Sequence, residues 1–319
     1  MSQNSILNDL KFRYQTGGIL TRLIMINVAA FLVVNIVRVI LMLMTKNGDV
    51  VSSDSTYQIL IHYLMIPSEP LLLVKRFWTI ITHMFTHEGF FHMLFNMLWL
   101  YWFGVIFNQY VGESKLLPLY ILGGLAGGFL FVLAYNIFPA FENVSGYALG
   151  ASAAVSAIIV ATATMVPNHT MRFIFIGDVK LVWIAAFVVI LDFVSIPNGN
   201  PGGQIAHLGG AGFGFLYIMQ YKNGSDWSKP FYSVWDGIRN FFDFTSKPNN
   251  KRKSKVKMAY KNEDKIKQNH TSKRKEGGQF TSKAKQEKID DILDKIGKSG
   301  YPSLTEEEKA FLFQYSRED

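Results

Sequence analysis

Twenty-two residues directly after Thr21-Arg22, LIMINVAAFLVVNIVRVILMLM, carry a single charge, Arg38. A helix rises about 1.5 Å per residue and a bilayer's hydrocarbon core is about 30 Å thick, so about 20 apolar residues make a membrane span. Including this first run at 20–44, six stretches qualify; the others lie near 90–107, 116–138, 150–166, 180–196 and 204–221. The fourth is rich in Ala and the sixth in Gly. Such weakly apolar helices pack inside a bundle, because small residues let backbones approach closely. The expected fold class is therefore all-α, a polytopic membrane protein with a six-helix bundle over 20–221. The first run is too long for a signal peptide, and no small-residue cleavage site follows it.

Charge sets the expected orientation. The loops at 139–149 and 197–203 contain neither Lys nor Arg, whereas Lys11, Arg13 and Arg22 precede the first run and Arg172 and Lys180 separate the fourth from the fifth. The positive-inside rule then puts both termini in the cytoplasm, as an even number of spans requires. The loop at 45–82 falls outside, and its Tyr57–Met65 stretch reads as an amphipathic helix at the interface.

The net charge of +8 is concentrated in the tail: 14 Lys/Arg against three Asp/Glu from Lys247 to Lys285, then five against nine from Gln286 to Asp319. The basic block has two aromatic residues, Tyr260 and Phe280, and no nucleic-acid-binding motif. Beside a span it reads as a retention signal at an anionic membrane surface, and no nucleic acid partner is expected. The layout expected is an N-terminal cytoplasmic segment at 1–19, the membrane domain at 20–221, a basic disordered linker at 222–285 and a small helical hairpin at 286–319. The hairpin's second helix would open on a capping pattern within Ser303–Glu308. The absence of cysteine excludes disulfides, thiolate metal sites and a cysteine nucleophile.

Polar side chains inside a membrane bundle are costly and therefore candidates for function. The second apolar stretch and its approach carry His83, His87, His92 and Asn96; the fourth opens Gly150-Ala151-Ser152-Ala153; the sixth reads His207-Leu-Gly-Gly210-Ala-Gly-Phe-Gly214. His87-Glu88 and His92 resemble a zinc-protease helix at a glance, but that site needs two histidines four apart and these are five apart. No metal or cofactor is expected. His92 and Asn96, four apart, share a helix face. Ser152 at a helix start would sit among unpaired N–H groups that favour negative charge, although a helix-capping role alone would also place a serine there. Gly210 and Gly214 flank His207 on one face, and Ser152 and Ser156 give the fourth helix a small-residue face. Pressed together, the two faces would bring Ser152 Oγ to a His207 ring nitrogen. A transporter is disfavoured by the clustering of these groups toward one side and by the lack of an inverted repeat.

Taken together, the three stretches resemble the rhomboid family of intramembrane serine proteases over about 20–221. The matching motifs are His92-Met-Leu-Phe-Asn96, Gly150-Ala-Ser152-Ala153 and His207 followed by Gly210 and Gly214, with Trp78 similar to a first-loop Trp. The resemblance implies a Ser–His dyad without a carboxylate: Ser152 as nucleophile, His207 as base, and an oxyanion held by the Ser152 N–H, His92 and Asn96. The substrates implied are transmembrane helices cut near the outer face within the lipid bilayer, with the glycine-rich Pro197–Gly203 run as a lid. Four positions depart from the family pattern: Ala153 for Gly, Thr79 for Arg, Asn108 for Glu, and Ser156 for an aromatic ring under the histidine. Ala153 and Ser156 favour the alternative of an inactive rhomboid-like scaffold. The missing cysteines and the tail point to a bacterial inner membrane; oligomeric state is not legible.

Overall fold

The computed structural model describes residues 3–44, 50–242 and 282–315. It is mostly helical and divides into two units, 1–248 and 249–319.

In the first unit, α1 (Gln3–Thr16) leads into α2 (Ile19–Met44), and α3 (Val50–His62) follows. The interfacial helix expected at Tyr57–Met65 instead begins at Val50 and ends at His62, and its Tyr57 and Ile61 are buried. Two short helices, α4 (Pro70–Lys75) and α5 (Thr79–Thr82), complete the first loop. Then come α6 (Phe90–Tyr110), α7 (Leu116–Ile137), α8 (Ser152–Met165), α9 (Leu181–Ser195) and α10 (Pro201–Lys222). Each of the six expected apolar stretches is a helix. Among the described residues, three helical segments are long and apolar enough to cross a membrane, Ile19–Met44, Phe90–Tyr110 and Glu113–Ile137, while α8 and α9 are shorter apolar helices.

The α8 helix is the centre of the bundle. Nearly every residue from Ala153 to Ala163 is buried, and α6, α7, α9 and α10 all pack on it. Its Ala-rich sequence permits this, since partners supply glycines where backbones meet. One buried polar pair ties α2 to α7: Asn27 of α2 donates to the Tyr120 hydroxyl of α7 (3.1 Å), which donates to the Met84 carbonyl (3.1 Å).

Two small antiparallel ribbons were not foreseen. In the first, β1 (Ile66–Pro67) pairs with β2 (Tyr147–Ala148), tying the first loop to the chain just before α8. In the second, β3 (Thr170–Phe173) pairs with β4 (Gly177–Lys180), and Arg172 grips Asp178 through two hydrogen bonds of 2.8 and 3.0 Å. Its tip, Ile174-Phe175-Ile176, is almost wholly exposed.

The disordered linker expected from 222 needs correction over its first part. Residues Ser228–Phe242 form α11. Asp226 Oδ1 accepts from the Ser228 N–H (3.0 Å) and hydroxyl (2.6 Å), capping the helix start, and Trp227 packs on Phe213 and Tyr217 of α10. The rest of that expected linker, 243–281, lies outside the described residues. In the second unit, α12 (Ser282–Ser299) and α13 (Glu306–Tyr315) are joined by a short turn. Thr305 and Glu308 form a reciprocal capping box, and Lys295 reaches Glu308 at 2.9 Å.

Candidate active site

The turn before α8 is fixed from the first loop. Gly150 has φ +114°, a conformation L side chains rarely adopt, so the turn requires glycine there. A Cβ at this position would also lie 2.8 Å from His92 Cε1 and 2.9 Å from its Nε2. The Gly150 N–H donates to the His83 carbonyl (2.8 Å), and the Ala151 N–H donates to His87 Nε2 (3.2 Å). The His87 ring must therefore be unprotonated at Nε2. Burial, aided by the neighbouring His92, lowers its pKa to about 4, which keeps it a neutral acceptor. His83 Nδ1 is held at 2.8 Å by the Thr79 carbonyl. These two histidines, weighed in the sequence only as metal ligands, are props for the turn.

Ser152 is the first residue of α8, with Ala151 in the capping position and no side-chain cap, so the capping role for Ser152 is not realised. Among the described residues its hydroxyl has no hydrogen-bond partner. The helix presents its free N–H groups at this end. Opposite stands α10, whose glycines decide how close it comes. A Cβ on Gly210 would collide with the Ala153 carbonyl oxygen, and one on Gly214 with that of Ala157. His207 is the seventh residue of α10, two turns in, because the helix begins at Pro201.

Ser152, His207 and Asn96 line one cavity of about 550 Å³, whose remaining wall is largely apolar, with Trp99, Trp183 and Phe187. Asn96 donates one amide hydrogen to the His92 carbonyl (2.8 Å), leaving the other for the cavity. His92 lies at the edge, lining a second opening of about 600 Å³ with Glu88, Tyr147 and Asn200. Its ring is edge-on to His87 at 5.3 Å. The structure thus gathers three of the four expected polar groups in one cavity and places the fourth against the Gly150 turn.

Asp192 was missed by the sequence reading. It lies on α9 and is buried, with Oδ1 2.9 Å from His207 Nδ1. The only signal was an acid inside an apolar run, Leu191-Asp192-Phe193. Two of the four departures are also placed here. The Ala153 methyl is buried away from the cavity, in a small cluster with Ile66, Phe131 and Ala206, and Gly127 of α7 makes room for it. Ser156 is buried and lines the cavity beside Ser152. The Pro197–Gly203 run is half helical: Pro201, Gly202 and Gly203 are the first turn of α10, capped by Asn200, whose side chain accepts from the Gly203 N–H at 3.0 Å.

Apolar helices of membrane-crossing length around a cavity shared by serine, histidine and asparagine define a helical membrane protein with a candidate serine-type site. The rhomboid domain model matches residues 74–223, and this region of the chain is a domain of the rhomboid family. It is 31% identical to the RHOMBOID-like protein 12, mitochondrial, of Arabidopsis thaliana, over 47% of this chain and 48% of that one. It is 29% identical to the Presenilin-associated rhomboid-like protein A, mitochondrial, of Danio rerio, and 26% identical to the Presenilin-associated rhomboid-like protein, mitochondrial, of Homo sapiens, each over 49% of this chain and 41% of the relative. The chain thus spans about half or less of the length of these relatives. Residues 281–318 match a second family model, described as a family of unknown function, DUF6576. The bacterial inner membrane expected from composition, with cytoplasmic termini, is corrected by these matches: the relatives are named as mitochondrial and point to a mitochondrial membrane in its place.

Proposed function

We propose that this chain is an intramembrane serine endopeptidase that cuts transmembrane helices with Ser152 as nucleophile and His207 as general base. The observation that carries the reading is the cavity that Ser152, His207 and Asn96 share at the start of α8. Ser152 Oγ attacks a peptide carbonyl carbon while its proton passes to His207 Nε2. The C–N bond of the tetrahedral intermediate then breaks, and the same proton leaves with the amine. Water, deprotonated by His207, hydrolyses the resulting ester and restores the serine. The Ser152 N–H, Asn96 and His92 hold the oxyanion; one such donor commonly contributes about 2.7–4 kcal/mol to lowering the barrier.

On this reading α2 and α6–α10 are the six spans, 222–285 connects the bundle to a separate helical element at 286–319, and the site opens on the side of the α9–α10 connection. The substrate is a membrane helix with a locally weak segment near that side, because a peptide bond within an intact helix offers its carbonyl to no nucleophile. Presenilin-associated relatives favour a membrane protein as partner. A second reading, a rhomboid-like scaffold that binds such helices without cutting, rests on Ser156 in place of an aromatic ring.

Fluorophosphonate labelling of the detergent-purified protein separates the two readings. Labelling of the wild type that is lost in Ser152→Ala and in His207→Ala supports the protease. A folded wild type that stays unlabelled, while an active rhomboid protease labels alongside it, overturns that reading and leaves the scaffold.

A further inference from the structure

A carboxylate within an apolar helix is expensive unless something repays its burial. Asp192 sits on α9 among Leu191, Phe193 and Val194, which face outward, while its own side chain is turned inward and buried. Among the described residues its one hydrogen-bond partner is His207, on the next helix, at 2.9 Å; its second oxygen, Oδ2, is buried without one. Nothing else among the described residues accounts for an acid at this position. Asp192 also lines the cavity that holds Ser152, His207 and Asn96, so the contact belongs to the site and not to a remote helix–helix junction.

The contact has a chemical consequence for the ring. A carboxylate oxygen only accepts, so the nitrogen facing it, Nδ1, must carry the hydrogen. In the neutral imidazole that leaves Nε2, at the far end of the ring, as the lone-pair nitrogen able to take a proton. When Nε2 does take one, the imidazolium that forms sits against a negative charge in a poorly solvated cavity, where such a pair is felt more strongly than in water. No aromatic ring pairs with His207 among the described residues, and Ser156 offers no ring surface, so Asp192 is the contact that orients it.

We infer that Asp192 is a positioning residue for the proposed hydrolysis: it sets the tautomer of His207, points Nε2 toward Ser152 and stabilises the protonated ring, so that the site works as a triad built from α8, α9 and α10. The inference rests on the protease reading and goes beyond the dyad that the family resemblance implies. The ionisable groups facing His207 are Asp192 from α9 and His92 from α6.

The test compares wild type, Asp192→Asn, Asp192→Ala and Asp192→Glu in detergent, each checked for monodispersity and thermal midpoint, by the rate of fluorophosphonate labelling against pH. Loss of the orienting acid in a serine triad costs on the order of 10⁴-fold, so a fall of about 10²- to 10⁴-fold is expected for Asn and Ala, with partial recovery in Glu. A purely structural role would lower the thermal midpoint and leave the tautomer of the His207 ring unchanged. ¹⁵N spectra of imidazole-labelled protein, assigned by comparison with His207→Ala, should show the Nδ1–H tautomer in wild type and a changed tautomer balance in Asp192→Asn. Folded Asn and Ala variants that label at the wild-type rate with an unchanged tautomer balance overturn the inference while the protease stands. An unlabelled wild type overturns the protease reading, and this role with it.

Discussion

Gly210→Ala tests whether the approach of α10 to α8 is what assembles the site. The new methyl carbon would lie 2.8 Å from the Ala153 carbonyl carbon and would collide with its oxygen. Carbon pairs pack at about 3.5–4.0 Å, so this pair alone requires the helices to part by about 0.7–1.2 Å, and the nearer oxygen requires more. The blocking atoms are backbone, so no side-chain rotation relieves the contact. Overpacking of this kind costs about 1–3 kcal/mol of stability. His207 lies three residues, nearly one turn, before Gly210, so the displacement carries its ring away from Ser152. A misplacement of about 1 Å at a reacting pair can lower a rate on the order of 10²-fold. Gly212→Ala is the matched control. It lies on the same helix with nothing within 4 Å of its Cβ, and an alanine in a helix interior is favoured over glycine by about 0.5–1 kcal/mol. Fluorophosphonate labelling rates and thermal midpoints of the two variants decide the matter. Gly210→Ala should label about 100-fold more slowly with a lower midpoint, and Gly212→Ala should label as wild type with an equal or higher one. A Gly210→Ala protein that labels at the wild-type rate would refute the argument that the close α8–α10 contact sets the Ser152–His207 geometry.

Two further substitutions probe the neighbourhood. Ala153→Gly removes a methyl that faces α7 rather than the cavity, so the thermal midpoint should fall, by the equivalent of about 1 kcal/mol of lost burial and helix preference, while labelling stays within about threefold of wild type. A large gain in labelling would mean that the methyl does obstruct the site. His87→Ala leaves the Ala151 N–H without its buried acceptor, at a cost of about 1–3 kcal/mol beyond the cavity it opens, and slackens the turn that presents Ser152. A lower midpoint together with slower labelling is expected, and an unchanged midpoint would show that the turn does not depend on this bond.

The helices, and the residues that come to share the cavity, were legible because their signals are long or repeated. Six apolar runs each exceed what a loop tolerates, and His92 with Asn96, or Gly210 with Gly214, show helical spacing that the structure keeps. The misses share a physical cause, which is brevity or dependence on a distant partner. A two-residue strand such as Ile66–Pro67 has no period to detect, and only its pairing with Tyr147–Ala148 makes it a strand. The α11 helix was read as linker because polar residues separate its apolar ones, although Phe231 and Trp235, four apart, stack on one face. Asp192 looked like an interruption of a span; its meaning comes from a ring fifteen residues later on another helix. The glycine-rich run before His207 was read as mobile because glycine lowers helix preference, and the Asn200 cap with proline at the first position outweighs that.

The departures from the family pattern gain their meaning from the residues opposite them. Ala153 would threaten the site if its methyl pointed along the cavity, but Gly127 on α7 leaves the space it fills, so the extra carbon becomes core. Thr79 lacks the charge expected at its position, yet Arg76 lies three residues earlier, in the turn between α4 and α5. Its guanidinium is 4.0 Å over the Tyr63 ring and donates to the His62 carbonyl at 3.3 Å, while Trp78 Nε1 donates to the Tyr63 carbonyl at 2.7 Å. The first loop is therefore still clamped to the end of α3, by a cation moved along the chain. Ser156 removes a ring from beneath His207, and Asp192 supplies an orienting contact from the side. In each case the lost function is one of position, which a side chain on another element can provide. The proposed nucleophile and base are different in kind, because no neighbour can supply their chemistry, and at Ser152 and His207 this chain keeps the residues that the rhomboid motif carries.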